Sequence, residues 1–231
     1  MAQVGLMLLL AGKGTRFGGA LPKQFQFFNQ PEPLFAQTVT HLLQGLPIKQ
    51  VVLVVKEAYF SEPTFREGYN RVQKRYPQIQ WDAVAGGETR HLSFRAGWKA
   101  LKKGRSNAKN IVVHDANRPT LPREFLTRIK GELDSLSYER PAAVPVVPVS
   151  DSLAYLNDDL VSSYLPRTRL AHLQTPQVFW APAIEEALST EAAQEENYSD
   201  EGSFLLHAGY PVRHFEGDWA NRKITHSGDH P

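Results

Sequence analysis

The stretch that most limits what this chain can fold into is Leu8–Phe25, LLLAGKGTRFGGALPKQF. An apolar run from Val4 to Leu10 ends abruptly in a segment carrying Gly12, Gly14, Gly18 and Gly19, with Arg16 inside it and Pro22-Lys23 closing it. Apolar residues without alternation read as a strand buried on both faces. Glycines placed after such a strand let backbone N–H groups turn toward an anion and approach it closely. Arg16 and Lys23 add fixed positive charge where phosphate oxygens would lie. The combination reads as a phosphate cradle. A tight strand-to-helix turn with solvated cations is the plainer alternative.

The chain then alternates between two periods. Leu34, Phe35, Val39, Leu42, Leu43 and Leu46 recur at helical spacing and predict an amphipathic helix over 32–45. Val51–Val55 reads as a second buried strand, 63–76 as a helix, and Ile79–Val84 as a third strand ending at Gly86-Gly87. Phe94, Trp98 and Leu101 mark a helix over 90–103, and Ile111–His114 reads as a fourth strand opening onto Asp115-Ala116-Asn117-Arg118-Pro119, before a helix over 122–136. Such alternation predicts the α/β class, a doubly wound, mostly parallel open sheet. Ligands of such sheets collect outside the carboxyl ends of the strands. Gly12–Lys23, Gly86–Arg90 and Asp115–Arg118 all follow strand ends here.

The pattern changes after Pro141. Ala142–Val149 reads as a strand studded with prolines, and Ser152–Leu156 and Leu160–Tyr164 flank Asn157-Asp158-Asp159 as a β-hairpin. A lone hairpin has too few neighbours to be stable. The arm at about 150–167 is therefore expected to lean on a second subunit, or else to fold back on its own domain. Gln174–Phe179 precedes a helix over Pro182–Ala193, Asp200–Ala208 reads as a short helix, and Val212–Phe215 as the last strand. With no internal repeat or low-complexity linker, residues 1–231 are expected to form one domain carrying the arm.

Composition narrows the function classes. A net charge of +2 with scattered basic residues gives no polyanion-binding surface, so no nucleic-acid partner is expected. The absence of cysteine excludes disulfides, thiolate nucleophiles and Cys-zinc sites. No apolar run approaches the roughly 20 residues of a membrane span, and no leader pattern precedes the first strand. These features predict a cytoplasmic protein without membrane attachment.

Two phosphate motifs are ruled out by single positions. A P-loop requires Ser or Thr after Gly-Lys, and Gly14 follows Gly12-Lys13. A dinucleotide fingerprint requires glycine where Phe17 stands. Instead, Leu10-Ala11-Gly12-Lys13-Gly14-Thr15-Arg16-Phe17 with Pro22-Lys23-Gln24 resembles the signature of sugar and polyol nucleotidyltransferases. Further blocks narrow the match: Gly86-Gly87-Glu88-Thr89-Arg90 with Ser93, Val113–Pro119, Leu173–Phe179, Ser199-Asp200-Glu201 and Asn221-Arg222-Lys223-Ile224-Thr225. The ordered set resembles the 2-C-methyl-D-erythritol 4-phosphate cytidylyltransferase family over nearly the whole chain.

The resemblance implies a Rossmann-like nucleotidyltransferase fold and transfer of CMP from CTP to a polyol phosphate, with release of pyrophosphate, in the non-mevalonate route to isoprenoid precursors. A phosphate monoester has a second pKa of about 6, so the acceptor is a dianion near neutrality and needs no general base. By resemblance, Arg16, Lys23 and Lys223 stabilise the α-phosphate during transfer. Ala11, Gly12, Gly14, Gly86, Gly87, Arg90 and Ser93 bind CTP. Asp115, Arg118, Ser152, Arg167 and Thr225 bind the acceptor. Ser152 stands where the family usually has threonine and keeps the hydroxyl. The resemblance also implies Mg2+, held mostly through phosphates and water, with Asp115 the possible protein ligand, and a homodimer joined through the β-arm. Ribitol-5-phosphate cytidylyltransferases share most of these blocks and are the nearest alternative. A non-catalytic nucleotide-binding regulator on the same fold is another, against which the trio Arg16, Lys23 and Lys223 argues.

Overall fold

The structure, a computed structural model, describes residues 3–12, 21–28, 30–104, 107–195, 197–225 and 228–229. Its first half alternates as expected: β1 (Val4–Leu9), α1 (Leu34–Gly45), β2 (Ile48–Val55), α2 (Pro63–Arg75), β3 (Gln80–Ala85), α3 (Arg90–Lys103), β4 (Asn110–Asp115) and α4 (Arg123–Ser135). The second half adds β5 (Ala142–Pro148), β6 (Leu153–Asn157), β7 (Leu160–Leu165), β8 (Ala171–Leu173), β9 (Gln177–Trp180), α5 (Ala181–Ala187), α6 (Glu201–His207) and β10 (Val212–Glu216).

One sheet runs β10-β5-β9-β4-β1-β2-β3, with β8 beside β5. β1 lies between β2 and β4, parallel to both, so Leu9 pairs with Val54 on one side and Asp115 on the other. Strand β9 breaks the parallel pattern. It runs antiparallel between β4 and β5, with Ile111 opposite Phe179 and Ala143 opposite Val178.

The two faces of the sheet explain why the central strands carry long apolar runs. Alternate side chains of a strand point to opposite faces. Leu6, Leu8, Val51 and Leu53 join one core with Phe35, Val39, Phe65, Phe125 and Ile129 of α1, α2 and α4. Met7, Val52 and Val54 join a second core with Phe94, Trp98, Ile184, Phe204 and Leu205 of α3, α5 and α6. With both faces covered, no position on β1 or β2 facing a core can be polar without loss.

Two local expectations are revised. Strand β8 has only three exposed residues and no alternation for a sequence reading to detect. The helix expected over Pro182–Ala193 stops at Ala187 and resumes as a 3₁₀ turn over Glu191–Gln194. Ser189 Oγ donates to Glu186 O at 2.7 Å and Thr190 Oγ1 to Ala187 O at 2.7 Å. These bonds give the backbone a competing arrangement at the break.

Strands β6 and β7 form a separate two-stranded antiparallel sheet, with Leu153 opposite Leu165. Its turn places Asp158 at φ 51°, a left-handed conformation that aspartate tolerates. Tyr155, Leu156, Leu160, Val161 and Tyr164 are all more than half exposed on this arm. Among the described residues, no helix is long and apolar enough to cross a membrane.

Candidate active site

A cavity of about 480 Å³ opens where the carboxyl ends of β1, β3 and β4 meet, as the alternating pattern predicts. Leu10, Ala11 and Gly12 leave β1 along one wall, Gly87–Arg90 and Ser93 form a second, and Asp115–Asn117 a third; Lys23, Gln24 and Lys223 complete the lining. Gly86 is required by a close approach of two walls. A Cβ there would lie 2.7 Å from Ala11 Cβ and 2.9 Å from Ser93 Oγ. Ser93 Oγ lies 3.0 Å from Thr89 O and 3.3 Å from Gly87 O. Its proton is thus directed to the loop, and its oxygen remains able to accept from a ligand.

Lys23 opens the 3₁₀ turn Lys23–Phe25 and is only 9% exposed. The two residues that follow fix it. Gln24 Nε2 donates to Leu10 O at 2.7 Å, pinning the turn to the end of β1. Phe25 is fully buried, with ring centroids 6.0 Å from Phe35 and 6.0 Å from Phe65. Between two such anchors the Lys23 backbone has little freedom.

Asp115 is the electrostatic centre of the site. It is buried at the end of β4. Arg90 Nη1 donates to its Oδ1 at 2.7 Å, Lys223 Nζ lies 2.9 Å from its Oδ2, and Arg118 Nε stands 3.8 Å from the same oxygen. Burial alone would push this carboxyl up, but Arg90, Lys223 and Arg118 outweigh burial and hold it well below the usual carboxylate range. The remaining nitrogens of Arg90 reach Glu201, with Nε donating to Oε1 at 3.1 Å and Nη2 to Oε2 at 2.8 Å. Burial raises the Glu201 carboxyl, and the single neighbour Arg90 offsets that only in part. One arginine thus bridges two buried carboxylates with opposite shifts, because Asp115 has three cations near it and Glu201 has one.

The segment carrying Lys223 is stitched to the end of β4. Asn117 Nδ2 donates to Ile224 O at 2.8 Å and Ile224 N donates to Asn117 O at 2.9 Å. Arg118 Nη1 donates to Asn221 O at 2.8 Å, and Asn221 Nδ2 donates to Thr175 O at 2.8 Å. The side chain of Lys223 is 42% exposed at the cavity.

Beneath Asp115 runs a buried relay. The Asp115 N–H donates to Thr175 Oγ1 at 3.1 Å, which lies 2.9 Å from His114 Nδ1, while His114 Nε2 lies 3.0 Å from Arg118 O. A carbonyl can only accept, so the proton sits on Nε2 and Nδ1 accepts from Thr175. Burial pulls the imidazole down to about 4, against the raising pull of the Arg118 carbonyl and Asp115. The unfolded chain protonates this ring near pH 6.5 and the folded chain does not until about 4. Stability from His114 is therefore complete above 6.5 and is lost as pH falls toward 4, by about 3 kcal/mol in all. Urea midpoints between pH 7 and pH 4 check this: His114→Asn should flatten the slope, and an unchanged slope would reject the buried neutral ring.

The sequence pattern of the 2-C-methyl-D-erythritol 4-phosphate cytidylyltransferase family, IspD, matches residues 4–230. The chain belongs to this family. The 2-C-methyl-D-erythritol 4-phosphate cytidylyltransferase of Thermosipho melanesiensis is 31% identical over 223 residues, covering 96% of this chain and 92% of the relative. The bifunctional enzyme IspD/IspF of Solidesulfovibrio magneticus is 32% identical over 226 residues. The match takes in 96% of this chain and 54% of that protein, so the chain spans about half the length of such bifunctional relatives. The crystal structure of the 2-C-methyl-D-erythritol 4-phosphate cytidylyltransferase from Thermus thermophilus superposes with a TM-score of 0.69 at 25% identity, covering 97% of this chain and 93% of the other.

For this IspD-family chain, the cavity brings together Ala11, Gly12, Lys23, Gly87, Arg90, Ser93, Asp115 and Lys223. Gly86 supports the wall behind them. Arg118 is buried against Asp115 rather than on the lining. Gly14 and Arg16 lie outside the described residues. Besides Arg118, three further expected acceptor residues do not line the cavity. Ser152 and Arg167 are exposed at the base of the arm, where Arg167 Nη1 donates to Ser150 O at 2.9 Å. Thr225 turns its hydroxyl to Lys223 O at 3.1 Å. Sequence reasoning assigns no role to Gln24, Thr175, Asn221 or Glu201. Each stands inside a quoted family block, but nothing local in those blocks says which strand end the residue will meet.

Proposed function

We propose that the chain transfers CMP from CTP to 2-C-methyl-D-erythritol 4-phosphate, releasing pyrophosphate. Family membership supports the reaction. The observation that carries the residue assignment is the ionised Asp115 held among Arg90, Lys223 and Arg118, with Lys23 in the lining of the same cavity.

The acceptor's phosphate oxygen attacks the α-phosphorus of CTP, one P–O bond forms, and the bond to the leaving pyrophosphate breaks. The acceptor arrives already dianionic, so proton abstraction is not the difficulty. The difficulty is bringing two anions together and stabilising charge on the phosphoryl group in transit, which fixed cations do best when their orientation is set in advance. Lys23 and Lys223 supply such cations, and Arg16 joins them in the family's pattern. Backbone groups from Ala11 to Gly14 hold the triphosphate. The loop at Gly86-Gly87 and Ser93 hold the base, while Arg90 belongs to the same wall. Asp115 faces the acceptor, Arg118 backs Asp115 from beneath the lining, and Thr225 bonds the Lys223 carbonyl.

No cluster of three or more His, Asp or Glu side chains suited to a metal occurs among the described residues. The family resemblance implies Mg2+, which phosphate oxygens and water would mostly hold, and Asp115, ionised at the cavity, would be the carboxylate to reach it. When bound, it neutralises phosphate charge. The reading also has one domain act in the cytoplasm.

The exposed apolar residues of the arm support a homodimer in which Ser152 and Arg167 serve the partner's acceptor site. Replacing Tyr155, Leu156 and Tyr164 together by serine is expected to convert a dimer to a monomer in sedimentation or light scattering, with loss of turnover. A wild-type protein monomeric at assay concentration would remove the role in trans.

The test of the reaction is pyrophosphate release with each of the four NTPs, against methylerythritol 4-phosphate and ribitol 5-phosphate. Release with CTP and the first acceptor is expected. Preference for ribitol 5-phosphate would move the chain to the alternative substrate, and CTP binding without release would leave only a nucleotide-binding regulator.

A further inference from the structure

Glu201 is 2% exposed, does not line the cavity, and has no part in the reaction as described. From the geometry we infer that it is a positioning residue: by pairing with the Nε–Nη2 edge of Arg90, Glu201 sets the plane of the guanidinium so that Nη1 alone meets Asp115 Oδ1 and Oδ2 is left to hold Lys223 at the cavity. The inference rests on the reaction proposed above.

A guanidinium is a rigid planar fork that prefers two parallel bonds to one carboxylate. Here Nε and Nη2 of Arg90 make that pair with Glu201, at 3.1 and 2.8 Å. The plane of the fork is thereby set, and only Nη1 reaches Asp115, on Oδ1 at 2.7 Å. Oδ2 faces Lys223 at 2.9 Å. Without Glu201 the fork has one partner left, Asp115. With its plane no longer fixed, the fork can turn to a two-pronged grip on Asp115 that competes with Lys223 for Oδ2.

The fold does not need Glu201 to seat α6. Asp200 caps that helix through a reciprocal pair, with Ser203 N donating to Asp200 Oδ1 at 2.8 Å and Asp200 N to Ser203 Oγ from 3.3 Å. Gln177 Nε2 donates to Asp200 Oδ2 at 2.9 Å and its Oε1 accepts from Gly202 N at 3.1 Å. Phe204 and Leu205 are fully buried in the core. A buried carboxylate costs desolvation energy and rarely adds net stability. Its use here is orientation.

The test is a double-mutant cycle on turnover, in the full chain, at saturating CTP and methylerythritol 4-phosphate and below the unfolding temperature of every variant. Glu201→Gln has only one oxygen to accept from the Nε–Nη2 edge and is expected to lower kcat by about 10–100-fold, the scale of an ångström-level misplacement, with KM for CTP little changed. Glu201→Asp keeps the charge but not the reach, and is expected to lose kcat similarly. Arg90→Lys keeps the charge without a fork. On that background Glu201→Gln should cost nothing further, because there is no fork left to orient. Wild-type kcat in Glu201→Gln, near-wild-type kcat in Glu201→Asp, or losses that multiply in the double variant would each overturn the positioning role while leaving the reaction intact. A wild-type chain that releases no pyrophosphate overturns the reaction itself, and the role with it.

Discussion

Replacing Lys23 by alanine is expected to lower kcat for CMP transfer by about 10²–10³-fold, the usual loss when one preorganised donor to a charged transition state is removed. KM for CTP should rise far less, because in the proposed reading the backbone at Ala11 and Gly12 holds the triphosphate and the extra charge develops only during transfer. The size of the effect follows from how Lys23 is held. It is 9% exposed, pinned by the bond from Gln24 to Leu10 O and by the burial of Phe25. A cation fixed in a partly dry wall acts at lower effective dielectric than a mobile surface lysine. Lys23→Arg restores charge but brings a larger planar group, so only partial recovery is expected. Pyrophosphate release at saturating substrates is the measurement, and a Lys23→Ala protein with unchanged kcat would reject the assigned role.

Asp115→Asn is expected to combine the largest stability loss with a loss of turnover. The amide is nearly isosteric, so packing is preserved while the anion disappears. Arg118 and Lys223 then lose the carboxylate they pair with, and Arg90 keeps only Glu201. Removing one partner of a buried ion pair costs about 3–5 kcal/mol, because the other charge is left without compensation. The carboxylate's contribution is present above its unfolded pKa, near 3.9, and is lost as pH falls through the depressed folded value, so at neutral pH the comparison is clean. Urea unfolding of both proteins at pH 7 checks the loss. A difference under about 1 kcal/mol would mean that the three cations find adequate solvation without Asp115.

The sequence is most legible where structure is local. β1, β2 and β4 carry apolar runs because two cores bury both faces, and that requirement is written residue by residue. The three strand-end segments are legible for the same reason, since glycine and charge stand where a strand must stop. The arm can be seen from its turn residues. Non-local pairing is not legible. Nothing in Gln177–Trp180 states that this strand runs antiparallel between β4 and β5. The Arg90–Glu201 pair joins residues far apart in the chain, and the sequence ties Arg90 to the nucleotide only through the family resemblance. His114 reads as a packed strand residue, which its burial and its bonds to Thr175 and Arg118 agree with. The partner that makes it part of a relay, Thr175, lies on a segment whose position only the completed sheet defines.

That antiparallel strand has a consequence for when the protein becomes competent. β3, β2, β1 and β4 are consecutive along the sheet and come from the first half of the chain, so they can pair as soon as they have been synthesised. A chain made from its N-terminus thus owns Lys23, Arg90 and Asp115 early. Thr175, Glu201 and Lys223 reach Asp115 and Arg90 only after β9 has been threaded back between β4 and β5 and the last segment has been stitched to Asn117. Long-range pairing of this kind is the slow part of folding, because loop closure precedes the contacts that reward it. The cluster of charges around Asp115 is therefore completed later in synthesis than the walls built by the first half of the chain.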